Sequence, residues 1–422
     1  MNFKKYFLIN LKQYLVLYIV SFALFTSMAI SAVLSFTMYT SVYAQCPAEV
    51  FNETCVTMPD YDMSLLDMGI LGIFSAKLSP ILFMLFILML ILPLFAMGAR
   101  YSLTASDTYK QVSQRRNAIR LTNNLTLLSA VLIIFTIVYW GMVIAIAIRH
   151  HTYKLPETEW IELEDYIGEE VITYYQGTIY EKVNINYGIF GIAYPIILVT
   201  AALQYFISYL FVSRANRAIN SVLCLVMGEF LLMFLMFALL RYINIFYAID
   251  HFGDALVEPI SGTGNSSAFL PMMFVIQLFD PLITGGKTAF DNIEDPQKVV
   301  LAVSLAIYLS LAGLGIFAMI FDKDPSGEYA GKPESPKPYQ EIVFHSGALG
   351  IGLGVGALLS ALSPIATGVV LVVLIILYYV FLGIFRRNFK INLKNLIPYL
   401  AISSIVLAMG LISSLVYYNF VK

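Results

Sequence analysis

One carboxyl stands deep inside an apolar stretch: Glu229, in Val222-Leu-Cys-Leu-Val-Met-Gly-Glu-Phe-Leu-Leu-Met-Phe234. An acid in hydrocarbon is expensive and faces a cavity or a partner, so it marks a substrate path, a proton site or a hydrogen-bonded packing group. No second acid or histidine stands at similar depth in a neighbouring stretch, which leaves a proton relay incomplete. Arg241 and Lys77 lie nearer the ends of their stretches and can extend toward water.

The other concentration of chemistry is basic. Ser106-Asp-Thr-Tyr-Lys-Gln-Val-Ser-Gln-Arg-Arg-Asn-Ala-Ile-Arg-Leu121 carries Lys110, Arg115, Arg116 and Arg120 between two long apolar runs. Ser106 can cap a helix and Asp107 favours its first turn. Tyr109, Val112 and Ile119 recur on one face, with Lys110, Gln114 and Arg115 elsewhere. An ordinary basic loop on the inner side of a membrane explains the charges. It does not explain the helical length or the cap, so the segment is expected to lie parallel to the membrane and touch another protein.

Other motifs are weaker. Pro281-Leu-Ile-Thr-Gly-Gly-Lys-Thr288 ends like a phosphate-binding loop, but Pro281 occupies the position of the first required glycine, so nucleotide binding is not expected. In Gly347-Ala-Leu-Gly-Ile-Gly-Leu-Gly-Val-Gly356, the pairs Gly350/Gly354 and Gly352/Gly356 give the spacing that lets helix backbones approach closely, and helix packing is their expected role. His150, His151, His251 and His345 lie at or near the ends of apolar runs, with no Cys, Asp or Glu cluster at ligand spacing, so no metal is expected. No nucleophile–base arrangement stands out. No catalytic residues and no cofactor are assigned to this chain, and it is not expected to be an enzyme.

The elements that position these residues belong to a membrane. Of 422 residues, 59% are hydrophobic and 12% charged, the net charge is −2, and mean hydropathy is +0.79. Soluble domains are closer to half apolar and a quarter charged. No basic domain suggests a nucleic-acid partner. Nine apolar runs approach or exceed the ~17–25 residues that cross a bilayer as a helix: about 14–43, 72–98, 125–148, 188–212, 219–247, 299–321, 346–363, 365–385 and 396–420. Pro364 separates the seventh and eighth, which leaves a re-entrant pair as an alternative there. The first run is about twice a signal-peptide core of ~7–15 residues and is expected to be a retained anchor.

Residues 1–13 place Phe3, Phe7, Leu8 and Leu11 on one helical face and Lys4, Lys5, Asn10 and Lys12 mostly opposite, the pattern of a short interfacial helix. Residues 149–187 hold eight acids with Trp160 and many tyrosines, and a small folded cap is expected there. The apolar stretch within 268–282 is interrupted by Pro271, Asp280 and Pro281, so a re-entrant pair near 266–286, dipping from outside, fits better than a span. With the N-terminus inside, the inner segments hold 17 of the 25 lysines and arginines, and the outer ones 8 against 20 acids. The positive-inside rule favours that orientation. Cys46 and Cys55 then fall in the first outer loop, where an oxidising compartment permits a disulfide. Cys224 reads as a small buried apolar residue, and Asn52-Glu53-Thr54 is a weak glycosylation signal.

Asp107-Thr-Tyr-Lys-Gln-Val-Ser-Gln-Arg-Arg116 resembles the Asp-Phe-Tyr-His-Ser-Leu-Pro-x-[Lys/Ser/Thr]-Arg segment after the second span of Gram-positive type-2 ABC-transporter permeases. Asp107, Tyr109 and Arg116 match, Thr108 replaces Phe, and Ser113 replaces Pro. Phe321-Asp-Lys-Asp-Pro-Ser-Gly-Glu-Tyr-Ala-Gly-Lys-Pro333 is similar to the family's Lys-Arg-x-Ser-Glu-x-Ala-Gly-x-Pro, with Gly327 inserted and Asp324 in place of Arg. The resemblance implies an all-α, polytopic bundle. It would comprise an interfacial helix at 1–13, a six-span exporter core at 14–321, a cytoplasmic loop at 322–345, and about three further spans at 346–422. It implies a permease subunit in the plasma membrane that pairs with a second permease, the same or a related chain, and with two ATP-binding cassette ATPases, which would hold the ATP and Mg. Asp107, Tyr109, Lys110, Arg115 and Arg116 would contact the ATPase. Peptides, antibiotics or lipids are the cargo classes implied. Two other expectations stand beside it: an ion-coupled carrier with Glu229 as its proton site, and a scaffold or sensor binding a partner through the acidic outer cap.

Overall fold

The computed structural model describes residues 12–36, 38–47, 56–57, 64–97, 116–157, 160–167, 170–182, 185, 187–213, 218–229, 231–232, 235, 238, 295–321, 337–359, 363–386 and 393–418. Each of the nine apolar runs contains a helix. These are α1 (Leu15–Ser35), α2 (Ser64–Ala96), α3 (Arg116–Thr152) and α4 (Gly188–Val212), then α5 (Ala218–Glu229), and α6 (Asp295–Phe321), α7 (Lys337–Leu358), α8 (Pro364–Arg386) and α9 (Leu393–Val416). Among the described residues, five stretches are helical, long and apolar enough to cross a membrane: Leu15–Ser35, Leu121–Thr152, Phe190–Val212, Pro364–Phe381 and Leu396–Val416.

The pattern of burial on α1 shows why water is the wrong solvent for these helices. Tyr18, Ser21, Phe25, Ala29 and Ala32 are buried, at steps of three and four residues that keep one stripe facing inward. The opposite face of a soluble helix would be polar. Here it carries Val16, 73% exposed, Leu34, 68% exposed, and Ile19, Phe22 and Ile30 between them. Lipid is the environment that accepts such a face.

The seventh and eighth runs are separate helices. Ser363 accepts the amide of Ala366 at 3.3 Å, so it caps α8, and Pro364 occupies the first helical position, where its missing N–H is no loss.

The expectation of an all-α chain holds for the apolar part and needs one correction. Tyr39–Pro47 (β1), Val56–Thr57 (β2), Trp160–Ile167 (β3) and Glu170–Lys182 (β4) form an antiparallel sheet in the order β2-β1-β4-β3. The first apolar run therefore does not continue as helix to residue 43. Phe36 turns extended at φ −70° and ψ 128°, and β1 follows with Tyr, Thr and Val, side chains that fit a pleated surface. The expected cap at 149–187 is largely the β3–β4 hairpin, with Trp160 opposite Gly177 and Ile167 opposite Glu170. β1 runs beside β4 from Tyr39 opposite Lys182 to Pro47 opposite Tyr174.

The chain divides into two compact units. One comprises Tyr14–Leu85 and Ala130–Pro195. In it Phe25 of α1 meets Phe135 of α3 edge-to-face at 5.6 Å. The Arg149 guanidinium donates to the carbonyls of Val33 and Leu34, the latter at 2.8 Å. A cation thus satisfies carbonyls that the end of α1 leaves without helical partners. Tyr39, at the start of β1, stacks on Tyr153 and meets Tyr180 of β4 edge-on. Tyr139 donates to the Phe190 carbonyl at 2.9 Å, and Thr136 and Tyr194 share a hydrogen bond of 2.8 Å.

The other unit comprises Met1–Gln13, Phe86–Ser129 and Ile196–Lys422. One of its cores joins Ile207 and Phe211 of α4 to Leu232 and to Tyr308 and Ala312 of α6. A second joins Met97, Tyr209, Val212, Leu225 and Met319. α7, α8 and α9 pack on one another.

Several expected elements lie outside the described residues. These are the interfacial segment before Lys12, the basic segment before Arg116, the re-entrant stretch near 266–286, the phosphate-loop-like run at 281–288 and loop positions 322–336. Lys12 and Gln13 are helical, and Tyr14 forms a turn before α1.

Candidate functional site: a carboxyl cluster between helices

α4 carries polar residues one turn apart along a single face: Thr200, Gln204 and Ser208, all buried. Thr200 bonds back to the Ile196 carbonyl at 2.8 Å and is satisfied within the helix. The other two turn to Glu229 of α5. Gln204 Nε2 donates to Glu229 Oε1 at 2.7 Å, and Ser208 Oγ donates to the same oxygen at 3.1 Å. Gln204 Nε2 also donates to Ser208 Oγ at 3.2 Å. Glu229 Oε2 is buried and has no hydrogen-bond partner among the described residues.

Small residues bring the helices close enough for these bonds. A Cβ added to Gly228 would stand 2.5 Å from the Phe211 ring, so α5 rests directly on α4 beside Glu229. A Cβ on Gly315 of α6 would stand 2.1 Å from the Phe206 carbonyl oxygen, so α6 and α4 touch backbone to backbone. On the α3 side, Tyr205 donates to Asn124 Oδ1, where Thr122, Asn123, Asn124 and Thr126 are all buried. α4 is thus contacted by α3, α5 and α6. The cluster can do two things chemically: hold a polar group within the apolar part of the protein, or exchange a hydrogen-bond partner at Oε2.

The glycine run lies on α7. A Cβ on Gly350 would meet Leu231 Cδ1 at 1.9 Å, and one on Gly352 would meet Val406 Cγ2 at 2.6 Å. A Cβ on Gly410 of α9 would stand 3.5 Å from the Cα of Gly356. Gly354 is buried on the same helix. Arg116 opens α3, while Asp107, Tyr109, Lys110 and Arg115 lie outside the described residues. Cys46 belongs to β1 and Cys55 lies outside the described residues. His150 and His151 sit in the last turn of α3, their rings 6.0 Å apart. His345 bonds Tyr378, and no group of three metal-ligating residues occurs among the described residues.

Gln204 and Ser208 are the residues that sequence reasoning missed. Their signal was available: two polar residues four apart in an otherwise apolar helix, on the face that also bears Thr200.

Helices buried on one stripe and apolar on the other, five of them of spanning length, define a multi-pass membrane protein. No known protein family, curated protein or solved structure matches the chain.

Proposed function

We propose that the chain is the transmembrane permease subunit of an ATP-driven exporter. Two such permeases, the same or related chains, form the path across the plasma membrane. Two separate ATP-binding cassette ATPases bind and hydrolyse MgATP on the cytoplasmic side, where the N-terminus also lies. The cargo leaves toward the outside. Closure of the ATPases moves the segment at 106–121, and differential contacts in the two states shift the permease between inward- and outward-open arrangements.

The observation that carries this reading is the length of α3, which exceeds what a bilayer needs and has Arg116 of the ABC-like segment in its first described turn. The described helix runs 37 residues, from Arg116, the last residue of that segment, to Thr152. At 1.5 Å per residue that is about 55 Å, against a hydrocarbon core of about 30 Å. Its apolar run starts near residue 125, after Arg120-Leu-Thr-Asn-Asn124, so more than two turns of the described helix precede the apolar run.

Reversing Arg115 and Arg116 together to Glu tests the reading. Assembly with the ATPase and cargo-stimulated ATP turnover should be lost while membrane insertion persists. Unchanged assembly and turnover would remove the basis of the assignment.

The Glu229 cluster favours a second reading, an ion-coupled carrier. Transport by Glu229→Gln in proteoliposomes separates the two. An ATP-driven subunit keeps most of its activity, whereas a proton-coupled carrier loses gradient-driven transport and ignores ATP.

A further inference from the structure

The Gln204–Ser208–Glu229 cluster has more acceptors than donors. Only the NH₂ end of Gln204 can face a carboxylate oxygen, which settles the amide's orientation. Both of its hydrogens are committed, to Glu229 Oε1 and Ser208 Oγ. The single hydrogen of Ser208 also goes to Oε1. All three side-chain hydrogens of Gln204 and Ser208 are therefore spent. What remains is acceptor capacity: the amide oxygen of Gln204 and, above all, Oε2 of Glu229, buried and without a partner among the described residues.

That imbalance selects a ligand. No lysine, arginine or histidine among the described residues bonds to Glu229. Water would fill the hydrogen bond but leave a carboxylate uncompensated in apolar surroundings, where isolated charge is costly. A calcium-like ion needs about six to eight oxygen ligands, and this cluster offers one carboxylate. A primary ammonium has three donors, no acceptor and one positive charge, the complement of the deficit. Ile207, Phe211 and Leu232 pack with Tyr308 and Ala312 in the core beside the same turns, so whatever stands behind the nitrogen must be apolar.

We propose that the Gln204–Ser208–Glu229 cluster binds the primary ammonium group of an alkylamine, with Glu229 Oε2 as its principal acceptor. This deepens the export reading, on which it rests, by assigning the cargo a positively charged amine end and an apolar body.

The test is equilibrium binding of n-octylamine to the purified full chain in lipid nanodiscs. n-Octanol is the uncharged competitor, and proton uptake is followed in parallel. Octylamine should bind saturably and octanol should not displace it. Glu229→Gln should weaken binding about ten- to a hundredfold, the loss expected for a hydrogen bond to a charged group. Ser208→Ala, which keeps the carboxyl, should weaken it only several-fold. Thermal unfolding of each variant without ligand separates lost binding from lost folding. Equal affinity in the wild type and Glu229→Gln, displacement by octanol, or a site that takes up a proton but no amine would each overturn the proposal. An ATPase in the same preparation is scored independently. Amine binding without it keeps the site and removes the exporter; an ATPase without amine binding does the reverse.

Discussion

Two glycines on one helix give a controlled measure of how tightly α4 is held. Gly313 and Gly315 both lie in α6. A Cβ at Gly313 would meet nothing within 4 Å, whereas at Gly315 it would stand 2.1 Å from the Phe206 carbonyl oxygen and 2.7 Å from its carbon. Those are backbone atoms of a packed helix and cannot rotate aside. Restoring even the 3.0 Å lower limit of real Cβ contacts requires the helices to part by roughly 1 Å, which forfeits a sizeable share of each dispersion contact between them. Replacing glycine by alanine in a helix is worth about 1 kcal/mol on its own, equally at both sites. Overpacking costs about 1–3 kcal/mol and applies only at Gly315. Gly313→Ala should therefore match or exceed the wild type, and Gly315→Ala should fall about 1–3 kcal/mol below Gly313→Ala. Thermal unfolding of both variants in one detergent, scanned at one rate, gives the order. A midpoint for Gly315→Ala equal to or above that of Gly313→Ala would show that α4 and α6 do not touch as described.

Gln204→Leu should destabilise the protein by about 1.5–3 kcal/mol, because it removes a donor from a buried carboxyl. Gln204→Leu with Glu229→Leu should recover part of that loss, and an additive double variant in denaturation would disprove the pairing. Arg149→Met should cost about 1 kcal/mol and loosen the end of α1, read as faster proteolysis near residue 36; unchanged cleavage would argue against the guanidinium cap. β1 and β2 pair Ala44 with Thr57 and Gln45 with Val56. From the sequence, Cys46 and Cys55 of the first outer loop are expected to be joined in an oxidising compartment. Thiol reagents on intact cells should label them only after reduction, and labelling of both without reductant would contradict this.

The helices were readable because each bilayer-length apolar run leaves the backbone few ways to satisfy itself without water. Their ends were less readable. Residues 36–43, Phe-Thr-Met-Tyr-Thr-Ser-Val-Tyr, keep enough apolar side chains to read as a continuation of the run, and only their enrichment in Tyr and Thr marks the strand. β4 was hidden for a different reason. Its alternate positions, Val171, Thr173, Tyr175 and Gly177 against Ile172, Tyr174, Gln176 and Thr178, mix apolar and polar types on both faces, so no two-residue period appears. Glu229 was visible by its type and Gln204 and Ser208 by their spacing, but their pairing was not, because contact between α4 and α5 depends on Gly228 fitting against Phe211. The small-residue spacing of α7 was legible for the same physical reason that its partners, Leu231 and Val406, were not: it announces close approach without saying to what.

The sheet's margins bear on how the protein behaves when many copies crowd one membrane. One edge is β2, two residues long, and the other is β3, with eight. An open strand of that length is a template on which a second molecule's strand can add. β3 carries Glu162, Glu164 and Asp165, the first two on one face because they are two residues apart. Joining two copies edge to edge along β3 would bring these like charges together. The acids of the 149–187 loop therefore also work against strand addition at the β3 edge.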